Sequence, residues 1–153
     1  MKVLIAVDGS ESSQRALEYV AQMPWKPNTE FCLFSAIYLW EEDFTVLRSS
    51  YDMAKERAKK KVIEGLEKDV KYLREKVPGI VVSFDYNFDR AREAIVEKAF
   101  TYKADLIVMG SHGRSGFKKL LMGSVAEYVS NVAPCSVQIV KDAKQQDQKS
   151  KSA

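Results

Sequence analysis

The sequence predicts an α/β fold: a five-stranded parallel sheet with helices on both faces, a three-layer αβα sandwich. Three observations carry this. Short apolar runs rich in β-branched residues alternate strictly with segments whose apolar residues recur every three or four positions. Most of these runs lack polar alternation, as strands covered on both faces do. The length, 153 residues, suits one domain able to bury a core without disulfides or a structural metal.

Val3 to Val7 is the first strand, ended by Asp8-Gly9-Ser10. Ser10 can cap the next helix and Glu11 adds negative charge to its first turn. Ala16, Leu17, Val20 and Ala21 form that helix's apolar stripe, and Pro24, Pro27 and Asn28 stop it. Phe31 to Ile37 is the second strand. A loop with Trp40, Glu41, Glu42 and Asp43 leads to a long helix carrying Ala58, Val62, Leu66, Val70, Leu73 and Val77, closed by Pro78-Gly79. Ile80 to Tyr86 is the third strand. Asp89 reads as the cap of a helix with Ala94, Ile95, Ala99 and Tyr102; the alternative leaves its carboxylate at a ligand site beyond the strand end. Leu106 to Met109 is the fourth strand, and a glycine-rich segment follows it. A helix with Val125, Ala126, Tyr128, Val129 and Val132 then ends at Pro134, and Ser136 to Val140 is the fifth strand. The order β-α-β-α-β-α-β-α-β requires right-handed crossovers.

Charge and cysteines narrow the function classes. The chain has 24 Lys+Arg and 21 Asp+Glu, and most of the excess lies in the polar stretch after Val140, so the body is nearly neutral. Nucleic-acid binding is not expected of so balanced a body. Residues 142–153 read as a disordered polar tail behind a domain at 1–141. Lys59-Lys60-Lys61 reads as a solvated helix face, with a polyanion patch as the alternative. Cys32 and Cys135, beside strand runs, read as buried free thiols. No apolar stretch reaches the ~18–20 residues that span a bilayer, and Met1-Lys2 runs into strand pattern without a signal-peptide cleavage site. These point away from a membrane and toward a cytoplasmic protein.

In doubly wound sheets, ligands bind beyond the carboxyl ends of the strands where strand order reverses. The informative stretch there is Gly110-Ser111-His112-Gly113-Arg114, continuing to Gly123-Ser124-Val125. Glycines let backbone approach a ligand, and a helix opening at Gly123-Ser124 offers amide groups and a positive dipole end to phosphate. Ser124 can reach a phosphate oxygen or cap the helix, and Arg114, Lys118 and Lys119 add charge nearby. There is no GxxxxGK[ST] phosphate loop, and Gly110, Gly113 and Gly116 read GxxGxxG rather than the dinucleotide fingerprint. His112 lacks any nucleophile motif and reads as a loop residue near phosphate rather than a catalyst.

The spacing G-x2-G-x9-G-S at Gly110, Gly113, Gly123 and Ser124 closely resembles the ATP-binding branch of the universal stress protein family. The first strand Val3 to Asp8, the Asp105-to-Arg114 signature and Gly123 to Glu127 share the likeness, which covers residues 1–141. The resemblance implies a Rossmann-like nucleotide-binding sheet of order 3-2-1-4-5. It also implies ATP, AMP or ADP as ligand, with Mg²⁺ or Mn²⁺ held mainly by phosphates and water, and Asp8 contacting ribose or a metal-linked water. Main-chain groups at Ala36 would recognise adenine; Met109 and Gly110 would line the nucleotide; Gly113, Gly123 and Ser124 would surround the phosphates. Gly9, Ser111, His112, Arg114 and Val125 complete the expected site. A homodimer through Ser136 to Val140 is implied, and a nucleotide-dependent regulator rather than an efficient enzyme. The alternatives are a nucleotide-independent interaction module and a weak ATP hydrolase.

Overall fold

The computed structural model describes residues 1–39, 48–113 and 122–141, with only the backbone of residues 48 and 49. Trp40, Arg114, Lys118, Lys119 and the polar tail lie outside the described residues. The strands are β1 (Lys2–Ala6), β2 (Glu30–Ala36), β3 (Val81–Asn87), β4 (Leu106–Gly110) and β5 (Ser136–Val140). The helices are α1 (Glu11–Gln22), α2 (Arg48–Lys76), α3 (Ala91–Tyr102) and α4 (Ser124–Val132). All strand pairs are parallel, in the order β3-β2-β1-β4-β5. The predicted architecture and element order are therefore those observed, with strand ends moved by about one residue.

Strand parity divides the core into two layers. Val3, Ile5, Val7, Phe31, Leu33 and Val108 pack toward Ala16, Leu17 and Val20 of α1 and Leu66, Val70 and Leu73 of α2. Leu4, Ala6, Cys32, Phe34, Ile107 and Met109 pack toward Ala94, Ile95 and Ala99 of α3 and Ala126 and Val129 of α4. Runs without polar alternation are what such two-sided burial demands. Trp25 closes the end of the first layer, edge-on to Phe31 at 5.2 Å, with its indole N–H donating to the Val20 carbonyl at 2.7 Å.

Two local expectations are corrected. Arg90, not Asp89, caps α3, and it does so without a side-chain hydrogen bond. Asp89 is exposed, and its carboxylate accepts the adjacent Arg90 N–H at 2.6 Å, because the chain turns into the helix one residue later than its composition suggests. Cys32 is buried as expected, but Cys135 is half-buried, since it precedes edge strand β5. Lys60 is 80% exposed at its side chain, within 4.0 Å of Glu64, which fits a solvated α2 face.

Candidate functional site

The site follows from where β1 and β4 send the chain. They are neighbours in the sheet, yet α1 after β1 packs on one face and α4 after β4 on the other. Their carboxyl ends must part, and a crevice opens between them. Its walls include Asp8 from the end of β1, Ala36 from β2, Met109, Gly110, His112 and Gly113 from β4 and its exit, and Gly123, Ser124 and Val125 from the start of α4. Nine of the expected site residues thus meet in one cleft.

Asp8 is anchored there. One carboxylate oxygen, Oδ1, accepts the Ser10 N–H at 2.9 Å, and the Asp8 N–H points to Ser13 Oγ at 3.4 Å. The other oxygen, Oδ2, lies 3.1 Å from where a Cβ on Gly113 would stand, so it borders the glycine segment. Gly9 makes the turn with φ +76°, but it does not line this cleft. The space around Gly9 is open, so its glycine serves backbone conformation alone.

At Ala36 the main chain is available. The last β1–β2 rungs are Ala6 opposite Phe34 and the Val7 N–H donating to the Phe34 carbonyl at 2.9 Å. Ile37 bonds the other way, to the Asn87 carbonyl at 2.8 Å. Backbone polar groups alternate sides along a strand, so those of Ala36 face the β1 side, beyond the end of its ladder. An N–H and a C=O on one edge suit a planar ring with a donor and an acceptor.

The glycine segment is tightly tied to the fold. A Cβ on Gly110 would lie 2.5–2.6 Å from Ser12 Oγ, C and O, so α1 crosses directly over it. The Ser111 N–H donates to the Val140 carbonyl at 3.0 Å, and the Ser111 carbonyl accepts the Gly123 N–H at 2.7 Å. Ser111 is fully buried and stands behind the cleft wall, with its Oγ 2.9 Å from His112 Nδ1. That burial removes Ser111 as a nucleophile toward a ligand. The His112 N–H donates to Ser12 Oγ at 3.3 Å, which fixes the segment against α1.

At α4 the cap is Gly123, which has no side chain to give, so Ser124 is not the cap. The first residues of the helix, Ser124 to Ala126, line the cleft with Gly123. By contrast, α1 is capped by Ser10 Oγ, which accepts the Ser13 N–H at 3.2 Å. A helix start that receives no cap from its own N-cap residue, turned into a cleft, suits an anion.

A model of the universal stress protein family matches residues 1–141. The chain belongs to the universal stress protein family. Universal stress protein MJ0531 of Methanocaldococcus jannaschii is 34% identical over 148 residues, which cover 95% of this chain and 84% of that one. Among solved structures, hypothetical protein MJ0577 aligns with a TM-score of 0.81 at 28% identity, over 92% of this chain and 95% of that one. A universal stress protein solved in complex with cAMP aligns at 0.69 and 26%, over 92% and 96%.

The universal stress protein cleft also has an apolar end that motif reading missed. Ala6 and Phe34 from the sheet, Ala91 and Ile95 from α3, and Ala126 from α4 line it, with Val7 and Ser13 at its other margin. Ala6, Phe34 and Ala36 share strand parity, and Ala91 and Ile95 are four apart on a helix, so face arithmetic was the available signal. The enclosed volume is about 180 Å³. That is below the ~300 Å³ at which drug-sized pockets begin. Among the described residues, no three of His, Cys, Asp and Glu converge as a metal site, and no helix is long and apolar enough to cross a membrane.

Proposed function

We propose that this cleft binds an adenine nucleotide, ATP or its products ADP and AMP, and that occupancy makes the chain a nucleotide-dependent regulator of a stress response. The carrying observation is the uncapped start of α4 opening into the cleft beside Gly110 and Gly113. Phosphates would lie on those amides, with Gly123, Ser124 and Val125 around them and Arg114 as added charge. The base would enter the apolar slot between Phe34 and Ile95 and meet the Ala36 main chain. Met109 would border it, and Ser111 would act from behind by holding His112.

A divalent ion suits this arrangement in one place. Mg²⁺ or Mn²⁺ prefers carboxylate, water and phosphate oxygens, and the Asp8 Oδ2 beside Gly113 offers the carboxylate. The ion would neutralise phosphate charge next to Asp8. The reading assigns binding rather than efficient turnover, because the serine paired with His112 is fully buried. It further takes residues 1–141 as the nucleotide-binding domain, 142–153 as a polar tail, the cytoplasm as its compartment, and β5 as a homodimer edge. The half-buried Val137, Ile139 and Val140 support that edge.

The test is direct. The protein is purified, denatured, and any released nucleotide identified; melting is then followed with AMP and with ATP–Mg²⁺. At a hundred times Kd the ligand adds about 2.7 kcal/mol, a rise of roughly 5–11 °C for a chain of this size. No released nucleotide and no rise at millimolar ligand would refute the reading.

A further inference from the structure

A second cleft lies on the opposite face of the sheet, between the carboxyl ends of β1 and β2 and the middle of α2. Its volume is about 320 Å³, at the lower bound of small-molecule sites, ~300–1,000 Å³. Asp8, Asp69, Lys61 and Ser35 line it. Ser35 is only 4% exposed, yet it is part of this wall. Among the described residues no hydrogen bond or ion pair engages Asp69, Lys61 or the Ser35 hydroxyl. Asp69 is half-buried; that burial pushes its carboxyl up from the ordinary range, against the pull of the neighbouring Lys68 ammonium.

Gly65 adds a separate observation. It sits in the interior of α2 and lines the cleft, and a Cβ there would meet nothing within 4 Å. No neighbour requires the glycine, and a mid-helix glycine costs roughly 0.5–1 kcal/mol against alanine. What it does is keep this wall of the cleft low. Among the described residues, two carboxylates and one ammonium line the cleft. Val62 and Leu66 provide apolar surface beside the charges.

We propose that this second cleft binds a short aliphatic amine, its ammonium on Asp69 and the Ser35 hydroxyl and its methylenes against Val62 and Leu66. An anionic ligand would face the two carboxylates, and a purely apolar one would leave Asp69 and Ser35 desolvated without partners. The site is separate from the nucleotide cleft and shares only Val7 and Asp8 with it.

The test is an amide chemical-shift titration of the full chain with 1,4-diaminobutane, and with 1,4-butanediol as its neutral twin. Expected are saturable shifts centred on Gly9 and Gly65 with the amine and none with the diol. Asp69→Asn weakens the amine at least tenfold. Gly65→Leu, which favours the helix and fills the cleft, abolishes the effect while the protein melts no lower. Shifts that fail to appear, that the diol reproduces, that survive both variants, or that spread without saturation over Glu67 and Glu75 overturn the proposal. Nucleotide binding is read separately, by released nucleotide and by the melt with AMP or ATP–Mg²⁺, so failure of either site leaves the other's result intact.

Discussion

Replacing Gly110 by alanine tests whether this glycine serves the fold or the ligand. The added Cβ would lie 2.5 Å from Ser12 Oγ and 2.6 Å from both Ser12 C and O. The hydroxyl can rotate away, but the carbonyl cannot, because it belongs to the first turn of α1, held by the Ser10 cap. Relief therefore demands that helix and strand separate by several tenths of an ångström. This disturbs the His112 N–H to Ser12 Oγ bond and the packing of Leu17 and Val20. Overpacking of a core costs typically 1–3 kcal/mol, and backbone atoms on the receiving side put this case near ~3. At ~2–4 °C per kcal/mol, the melting temperature of Gly110→Ala without ligand should fall by roughly 6–12 °C. Urea unfolding and a melt followed by circular dichroism both read it. A change within about 0.5 kcal/mol, the range of an ordinary surface substitution, would refute the crossing geometry.

At Gly113 the expectation reverses: the nearest atom to an added Cβ is Asp8 Oδ2 at 3.1 Å, at the end of a side chain, so Gly113→Ala should leave the melt nearly unchanged while cutting the nucleotide-induced rise, measured by AMP-dependent thermal shift. Lys103 ends α3 in the left-handed region, φ 55° and ψ 52°. Lys103→Gly should stabilise by roughly 0.5–1 kcal/mol in urea, the ~1–2 kcal/mol left-handed cost of a Cβ less the extra chain entropy glycine loses on folding; a loss of stability would contradict it. Burial, then the charges of the Cys32 thiolate and Glu30, push the Tyr102 hydroxyl up to about 12. A folded value above the ordinary ~10 means that Tyr102's contribution is complete below pH ~10 and lost as pH rises toward 12. Tyr102→Phe should therefore lose less stability than the parent over that interval, and parallel unfolding curves would refute the shift.

How much was legible in advance differs between strands, caps and cleft walls. Val3 to Val7 and Leu106 to Met109 announce themselves because both faces of each strand are buried, so every side chain is apolar whichever way it points. The cap of α3 was misread because Asp89 favours capping by composition, whereas the position of the turn depends on how β3 delivers the chain to Arg90. The backbone side of the cleft was readable from glycine spacing. Its apolar end is only half legible: strand parity and helix spacing put Ala6, Phe34, Ala91 and Ile95 on facing surfaces, but nothing in the sequence tells a cleft there from packed core. Ser111 illustrates the same limit. It stands within the motif, but its hydroxyl is committed to His112 behind the wall.

The glycines that made the cleft readable do not all exist for the ligand. Gly110 is required by α1, and Gly123 is crowded by the preceding backbone, since a Cβ there would meet the Ser111 carbonyl at 3.1 Å and His112 Cα at 3.2 Å. Substituting Gly123 therefore strikes the protein's backbone before any phosphate, and lost binding in such a variant would not locate the phosphates. The two constraints act together on the place where the proposed phosphates would lie. Packing α1 over Gly110 fixes the exit of β4, and the Ser111–Gly123 hydrogen bond brings the start of α4 back onto that exit. A Cβ at position 123 would crowd the Ser111–His112 backbone, so the same contact that positions α4 disfavours a capping side chain at its N-cap. The position of the α4 start beside the β4 exit is in this sense a consequence of close packing at the switch point. Gly113, where the protein itself makes the weakest demand for glycine among these three, is the position whose substitution reports on the ligand.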